Sequence, residues 1–204
     1  MYDIVAFTGA GISKASNVPT FQELGDIRNK LSRQFFNSNT KEFYELLLYM
    51  KKITDSALPN PAHIALAKYN VPVITMNIDC LHKRAGSTNL IEIHGNLEYV
   101  FCPKCNKKFD FETVRESVYC NKCNEVLQPN VVLYGDSIPR YFDAINLIGL
   151  AKELLVVGTS FYTSTASFMV DRAEAAGIKV KIINENAENE VPSYLEKVLG
   201  KSEK

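Results

Sequence analysis

The sequence lacks several things, and each absence narrows the field. No apolar run approaches the ~20 residues that a membrane-spanning helix needs. There is no internal repeat and no low-complexity segment, which removes solenoids, propellers and flexible linkers. Neither charge prevails: 23 Lys+Arg face 23 Asp+Glu. A general nucleic-acid or polyanion binder would carry a basic surface, so nucleic acid is not an expected partner. The first residues, Met1-Tyr-Asp-Ile, lead straight into a strand pattern and leave no room for an export signal. A cytoplasmic protein is expected, acting as a monomer. The five cysteines then read as metal ligands in a reducing compartment rather than as disulfides.

What is present is a core of ordinary size. At 204 residues and 46% apolar content, one α/β domain with a small insertion is expected. Asp3 to Thr8 is a strand, followed at once by Gly9-Ala-Gly-Ile-Ser13. Glycines there allow backbone N–H groups to approach a phosphate at the start of a helix. The dinucleotide fingerprint is incomplete, with no third glycine and no acidic residue closing a second strand about 20 residues on. A strand-to-helix turn that needs small residues fits equally well. Asn17 to Gln22 is a loop, whose Phe21 could cover a flat ring or fill the core.

The pattern from Leu24 to Met50 is helical, interrupted near 37–40, with Thr40 as N-cap of a helix over Lys41 to Lys52. Asn60-Pro61 opens another helix, to about Tyr69. Val71 to Thr75 is a buried strand ending in Asn77 and Asp79, at the edge where open α/β sheets bind ligands. A short helix from Leu81 to Gly86 and a strand from Leu90 to Ile93 bring His94-Gly95 to the same edge. An amide, a carboxylate and an imidazole can thus surround one cavity.

Cys102-x2-Cys105 and Cys120-x2-Cys123 are separated by 14 residues able to form a small β-ribbon. Each pair clips one side of a tetrahedral zinc ion, and four thiolates leave no open position, so the ion is structural. Cys80 stands apart as a small buried apolar residue. The lysines of this region read as solvated surface. Val131-Val-Leu-Tyr-Gly135 is expected to return the chain to the main sheet. A helix follows from Phe142 to Lys152, then a strand over Leu154 to Val157. That strand ends in Gly158-Thr159-Ser160, a candidate for ribose or phosphate contact or a plain helix cap. Thr165 to Ala176 is helical, Lys179 to Ile183 is the last strand with Asn184 at its edge, and a short helix covers Pro192 to Leu199.

Taken in this order, Gly9-Ala-Gly-Ile-Ser13, Thr75-Met-Asn-Ile-Asp79 with Leu81-His82 and Ala85-Gly86, His94-Gly95, the cysteine quartet, Val131 to Gly135 and Gly158-Thr-Ser160 resemble the Sir2 (sirtuin) family of NAD-dependent protein deacylases. The resemblance runs from about Ile4 to Asn184. It implies a Rossmann-like parallel sheet with helices on both faces (1–22, 60–98 and 128–204). A small zinc-ribbon and helical domain (23–59 and 99–127) completes it, with NAD and an acylated lysine entering the cleft between them. By matching position, Gly9, Ala10, Gly11 and Ser13 would hold the pyrophosphate, and Phe21 would shield the nicotinamide-ribose carbon. Gln22 and Met76 fall in the cofactor set. Asn77, Ile78 and Asp79 would line the nicotinamide pocket, and Gly158, Thr159, Ser160 and Asn184 would contact the adenosine half. Val131, Val132, Tyr134 and Gly135 would pair with the substrate peptide by strand addition. His94 would be the general base toward a ribose hydroxyl, with Asn77 and Asp79 completing the catalytic set. One structural zinc would sit on Cys102, Cys105, Cys120 and Cys123. Nicotinamide, free lysine and O-acetyl-ADP-ribose would result.

The chain departs from the family at the supports. Gln22 and Met76 stand where the family usually has arginine and glutamine, and the segments after Asn184 and between Gln22 and Asn60 are short. Tyr162-Thr-Ser-Thr replaces the usual Val-x-Pro. NAD chemistry is expected to survive, with altered efficiency and acyl preference. Two other uses of the cleft compete: an NAD glycohydrolase or ADP-ribosyltransferase in the same pocket, and a non-catalytic zinc-ribbon binding module.

Overall fold

The computed structural model describes residues 1–20, 22–160 and 164–200, apart from the side chain of residue 26. In chain order these form β1 (Tyr2–Thr8), α1 (Arg33–Ser38), α2 (Thr40–Ser56), α3 (Pro61–Lys68), β2 (Val73–Thr75), α4 (Leu81–Arg84), β3 (Leu90–Glu92) and β4 (Gly95–Phe101). They continue with β5 (Lys108–Asp110), β6 (Gln128–Val131), α5 (Tyr141–Ile148), β7 (Ala151–Val157), α6 (Ser164–Ala175), β8 (Lys179–Ile183) and α7 (Ala187–Leu199). Short three-ten segments lie at Ala10–Ser16, Gly25–Lys30 and Phe111–Arg115.

Five strands make a parallel sheet in the order β3-β2-β1-β7-β8. The central strand β1 is apolar on both faces, as a strand covered on both sides must be. Val5 and Phe7 pack with Leu154 and Val156 under Ala144, Leu147 and Ile148 of α5 and Met169 and Ala173 of α6. Ile4 and Ala6 face the other way, with Leu155 and Val157, against Ala62, Ala65 and Leu66 of α3 and Val191 and Leu195 of α7. The expected Rossmann-like sheet with helices on both faces is therefore what the chain builds.

A second sheet, antiparallel and three-stranded in the order β5-β4-β6, packs against α1 and α2. Phe36, Phe43, Tyr44 and Leu47 meet Leu97, Val100, Phe111 and Leu127 in a core that includes Cys102 and Cys120. Aromatic edges organise it: Phe36–Phe43 centroids are 5.1 Å apart and Tyr44–Phe111 6.2 Å, both edge-to-face.

Several local expectations are corrected. Residues 128–131 do not return to the main sheet but pair with β4, because Gln128 to Val131 sits opposite Gly95 to Phe101. The 14 residues between the cysteine pairs supply one strand and a three-ten turn, and the ribbon is completed by flanking strands. The helical region from Leu24 breaks near Asn39 as expected, and also at Ser32, whose extended backbone (φ −116°, ψ 151°) ends the three-ten segment and caps α1. Asn39, not Thr40, takes the cap position of α2, and Thr40 Oγ1 donates to the Phe36 carbonyl at 2.8 Å, closing α1 instead. After Gly149 the chain is already strand by Ala151, so Lys152 is not helical. α7 starts at Ala187 and carries Pro192 inside it. Ala187, Val191 and Leu195, four residues apart, bury one face, and that packing outweighs the proline.

Candidate active site

Parallel register lines up the strand ends. Thr8 pairs with Thr75 and Val157, Thr75 with Glu92, and Val157 with Ile183. The next residues therefore form one row along the carboxyl edge: Ile93 and His94, Met76 and Asn77, Gly9, Gly158, and Asn184.

The two glycine clusters meet each other there. A Cβ on Gly11 would lie 2.7 Å from Gly158 Cα, and one on Gly9 would lie 2.8 Å from the Gly158 carbonyl and 3.2 Å from Met76 Cε. Gly158 itself sits at φ +64°, and its Cβ would come within 2.1 Å of the Ile12 nitrogen. The Gly9 and Gly11 amides donate to Val157 and Gly158 carbonyls at 3.0 and 2.8 Å. These glycines thus serve the close packing of two strand-end turns. Asn184 Oδ1 accepts from the Thr159 amide at 3.0 Å, tying the third turn to the second.

Beneath this row lies a closed polar network. Ser13 Oγ donates to Asp79 Oδ2 at 2.7 Å and accepts from Asn77 Nδ2 at 3.1 Å. Asn77 Nδ2 also reaches the Gly9 carbonyl at 3.2 Å, and Asp79 Oδ1 accepts from the Leu81 amide at 2.9 Å. All three side chains are buried. Burial raises the Asp79 carboxyl above its ordinary value in spite of these donors. His63 Nδ1 accepts from the Asn60 amide at 3.4 Å, so its Nε2 carries the proton toward Ser13 Oγ, also at 3.4 Å. Burial pushes His63 down to about 4, and it packs edge-on to the buried His82 with ring centroids 4.8 Å apart. His82 entered the sequence reading only as part of the Leu81-His82 motif, with no role, and His63 not at all, although it stands three residues after the Asn60 cap, at the capping-box position.

His94 is half-buried and different in kind. Its Nδ1 lies 3.0 Å from the Met76 carbonyl, which can only accept, so the proton is on Nδ1 and Nε2 bears the lone pair. Burial lowers its pKa, against the opposing pull of the Met76 contact, and keeps the ring neutral at pH 7. A neutral imidazole with a fixed tautomer is a proton acceptor ready for use.

Other expected site residues are placed less centrally. Ile78 turns toward the small-sheet core. Gln22 and Ser160 are exposed, and Phe21, Tyr162 and Thr163 lie outside the described residues. The segment Val131 to Gly135, expected from the resemblance to pair with a peptide, is engaged on both edges. The Val132 amide donates to the His94 carbonyl at 2.9 Å and the Tyr134 amide to Leu31 at 3.0 Å. The Tyr134 carbonyl accepts from the Arg33 amide at 2.9 Å. Backbone groups alternate along a strand, so Val131 and Leu133 face the other edge. There Asp136 closes Leu133, its amide donating to the carbonyl and its Oδ2 accepting from the amide at 3.0 Å. Val131, opposite Gly95, turns its own amide and carbonyl to that other edge. Arg33 grips Asp136 with Nε and Nη2, both at 2.8 Å, and stacks 4.9 Å from the Phe36 ring centroid.

The four cysteine sulfurs lie within 4.8 Å of one another, with Cys102–Cys123 at 3.2 Å and Cys105–Cys120 at 3.8 Å. A tetrahedral zinc with Zn–S of about 2.3 Å sets sulfurs about 3.8 Å apart. Each pair is followed by an asparagine in the left-handed region, Asn106 at φ +56° and Asn124 at φ +53°. Their amides donate back to the Cys102 and Cys120 carbonyls at 2.8 and 2.9 Å, which makes two matching knuckles. The Lys122 amide holds the Cys120 thiol down to about 6, while the hydrogen bond with Cys102 pushes the Cys123 thiol up. The donor set fits one structural zinc.

The Sir2 family sequence profile matches residues 9–164. The chain belongs to the Sir2 family. This sirtuin is 36% identical over 198 residues to the NAD-dependent protein deacetylase of Thermotoga maritima, spanning 88% of this chain and 80% of that one. It is 35% identical over 200 residues to that of Caldivirga maquilingensis, spanning 88% and 77%. Among solved structures, Sir2 with a p53 peptide and NAD+ superposes with a TM-score of 0.87 at 32% identity, covering 95% of this sirtuin and 92% of that chain. Sir2Tm bound to a propionylated peptide gives 0.86 at 32% identity over the same shares.

Proposed function

We propose that this sirtuin is an NAD-dependent protein-lysine deacetylase that releases nicotinamide, free lysine and O-acetyl-ADP-ribose. One observation carries the reading: a neutral His94 with its proton fixed on Nδ1, in the same strand-end row as Asn77 and the glycine turns. The relatives named NAD-dependent protein deacetylase support it, as do the neighbouring Sir2 structures that hold NAD or acylated and deacetylated peptides.

NAD supplies a ribose carbon activated by a cationic nicotinamide leaving group. The interlocked turns at Gly9 to Ser13 and Gly158 to Ser160, with Asn184, would hold its phosphates and adenosine. The tight glycine faces fit this, since any Cβ at Gly9 or Gly11 would collide with Gly158. Asn77 and Asp79 line the nicotinamide side, held in place by Ser13. His94 Nε2 takes the proton from a ribose hydroxyl, and the Met76 carbonyl steadies the imidazolium that forms. The acylated lysine protein or peptide adds to the 131–135 segment between two units, the parallel-sheet domain and the small zinc-ribbon and helical domain. Zinc holds the ribbon and takes no part in the reaction. The four-cysteine site suits the reducing cytoplasm, where the protein acts as a monomer. No described helix is long and apolar enough to cross a membrane.

The test is mass spectrometry of purified protein with NAD, with and without an acetyl-lysine peptide. O-acetyl-ADP-ribose formed only with peptide is the expected result. Free or protein-bound ADP-ribose without peptide would instead make the pocket a glycohydrolase or transferase. No NAD consumption by folded, zinc-loaded protein would leave a binding module.

A further inference from the structure

Asn60 caps α3, but only one of its side-chain atoms is used for that. Oδ1 accepts from the Ala62 amide at 3.0 Å, as an N-cap does. Nδ2 reaches out of the helix and donates to the Ile12 carbonyl at 2.7 Å and to Ser16 Oγ at 3.0 Å. The residue is buried, at 6% exposure, so these bonds face no competition from water. Its target, Ala10–Ser16, is a three-ten segment of seven residues, and such segments are weakly bonded and rarely run beyond three or four residues. A segment of this length depends on contacts from outside itself. The carboxamide of Asn60 meets it near its middle and at its end.

We propose that Asn60 is a positioning residue for the cofactor turn: its juxtaposition with Ile12 and Ser16 holds Ala10–Ser16 in the shape that receives NAD. The proposal rests on the reading of Gly9 to Ser13 as that turn. Asn60 touches no reacting atom and acts through the backbone it holds. Apparent affinity scales with the fraction of molecules already in the competent shape. Losing the two Nδ2 bonds lowers that fraction, and the apparent Kd and KM for NAD rise roughly tenfold. At saturating NAD the competent state is restored, so kcat stays within about twofold.

Asn60→Ser and Asn60→Asp test this, because serine and aspartate are both good N-caps and keep the bond to Ala62. Serine is too short to reach Ile12, and aspartate sets an acceptor against a carbonyl. The measurements are hydrogen exchange of amides 10–16 without NAD, calorimetric Kd for NAD, and KM and kcat at saturating acyl peptide. Faster exchange in 10–16 with slow exchange retained in α3, and a KM for NAD raised without a matching loss of kcat, is the expected result. Where the buried carboxylate of Asn60→Asp lowers Tm, Asn60→Ser decides. Wild-type exchange, Kd and KM in Asn60→Ser would reduce Asn60 to a helix cap and overturn the proposal. If wild-type protein itself binds no NAD, the cofactor reading fails and takes this role with it. Exchange in 10–16 would then show whether the grip is purely structural.

Discussion

At the carboxyl edge of the main sheet, Ser13, Asn77, Asp79 and His63 are held by hydrogen bonds to one another and to the backbone of Gly9, Asn60 and Leu81. In the small sheet, the backbone knuckles place Cys102, Cys105, Cys120 and Cys123 together, but their four sulfurs face only one another. Thiols crowded this closely are a poor core on their own, and an ion turns their repelling thiolates into a cross-link. One region is therefore preformed by the chain and the other is conditional on a metal. The 131–135 segment, proposed above to take the acylated peptide, joins the two: it leaves the small sheet and pairs with residue 31 and residue 33 before reaching the main domain.

The largest expected effect breaks the conditional half. Chelation, or Cys105→Ser, removes on the order of 10 kcal/mol of metal-linked folding energy. The small sheet and α1–α2 should lose protection in hydrogen exchange, with β1 and β7 retaining theirs. Metal analysis should find one zinc per chain before treatment. Equal loss in both regions would mean that they fold as one unit.

Next comes the preformed half. His94→Ala should lower kcat/KM by about 10²- to 10⁴-fold, the usual worth of a general base, with Tm nearly unchanged. A Tm loss as large as the activity loss would make His94 structural. Gly158→Ala forces a side chain into the left-handed region, against Ile12, and should cost roughly 3 kcal/mol or more in urea unfolding.

A milder prediction uses pH. His63 is held at about 4 and His82 well below its ordinary value, both by burial. The unfolded chain takes up these protons near pH 6.5 and the folded chain does not, so stability falls as pH drops from about 6.5 toward about 4. A urea midpoint that is flat across this window would contradict the buried neutral pair. The smallest effect is at the seam between the regions. Arg33→Lys loses the two-pronged grip on the partly exposed Asp136, for about 1 kcal/mol or less. It should raise KM for the acyl peptide and leave that for NAD alone.

Much of this was legible beforehand, for physical reasons. Runs such as Ile4 to Phe7 and Leu154 to Val157 are apolar on both faces, and only strands of a covered parallel sheet need that. The cysteine spacing carries its own geometry. The polar network was half-legible: Asn77 and Asp79 stood out at a strand end, but Ser13 and His63 join them only through contacts spanning 50 to 66 residues. Composition holds no trace of such pairings. The placement of 128–131 was missed because the apolar run Val131 to Leu133 drew the strand assignment, whereas Gln128 to Val131 forms the ladder, and the partner strand decides the sheet. Thr40 was misplaced because a hydroxyl at a junction can close one helix as readily as open the next.

The sheet order has a consequence for the growing chain. β1 is made first, yet its longest pairing is with β7, whose residues emerge about 150 positions later by register. Until then this buried central strand has only short β2 beside it. The zinc knuckles, by contrast, are complete within 22 residues of sequence from Cys102 to Cys123. During synthesis the small sheet can capture its ion and close while the main sheet is still waiting for its centre, so the nascent protein's exposure to aggregation is set by the arrival of Ala151 to Val157.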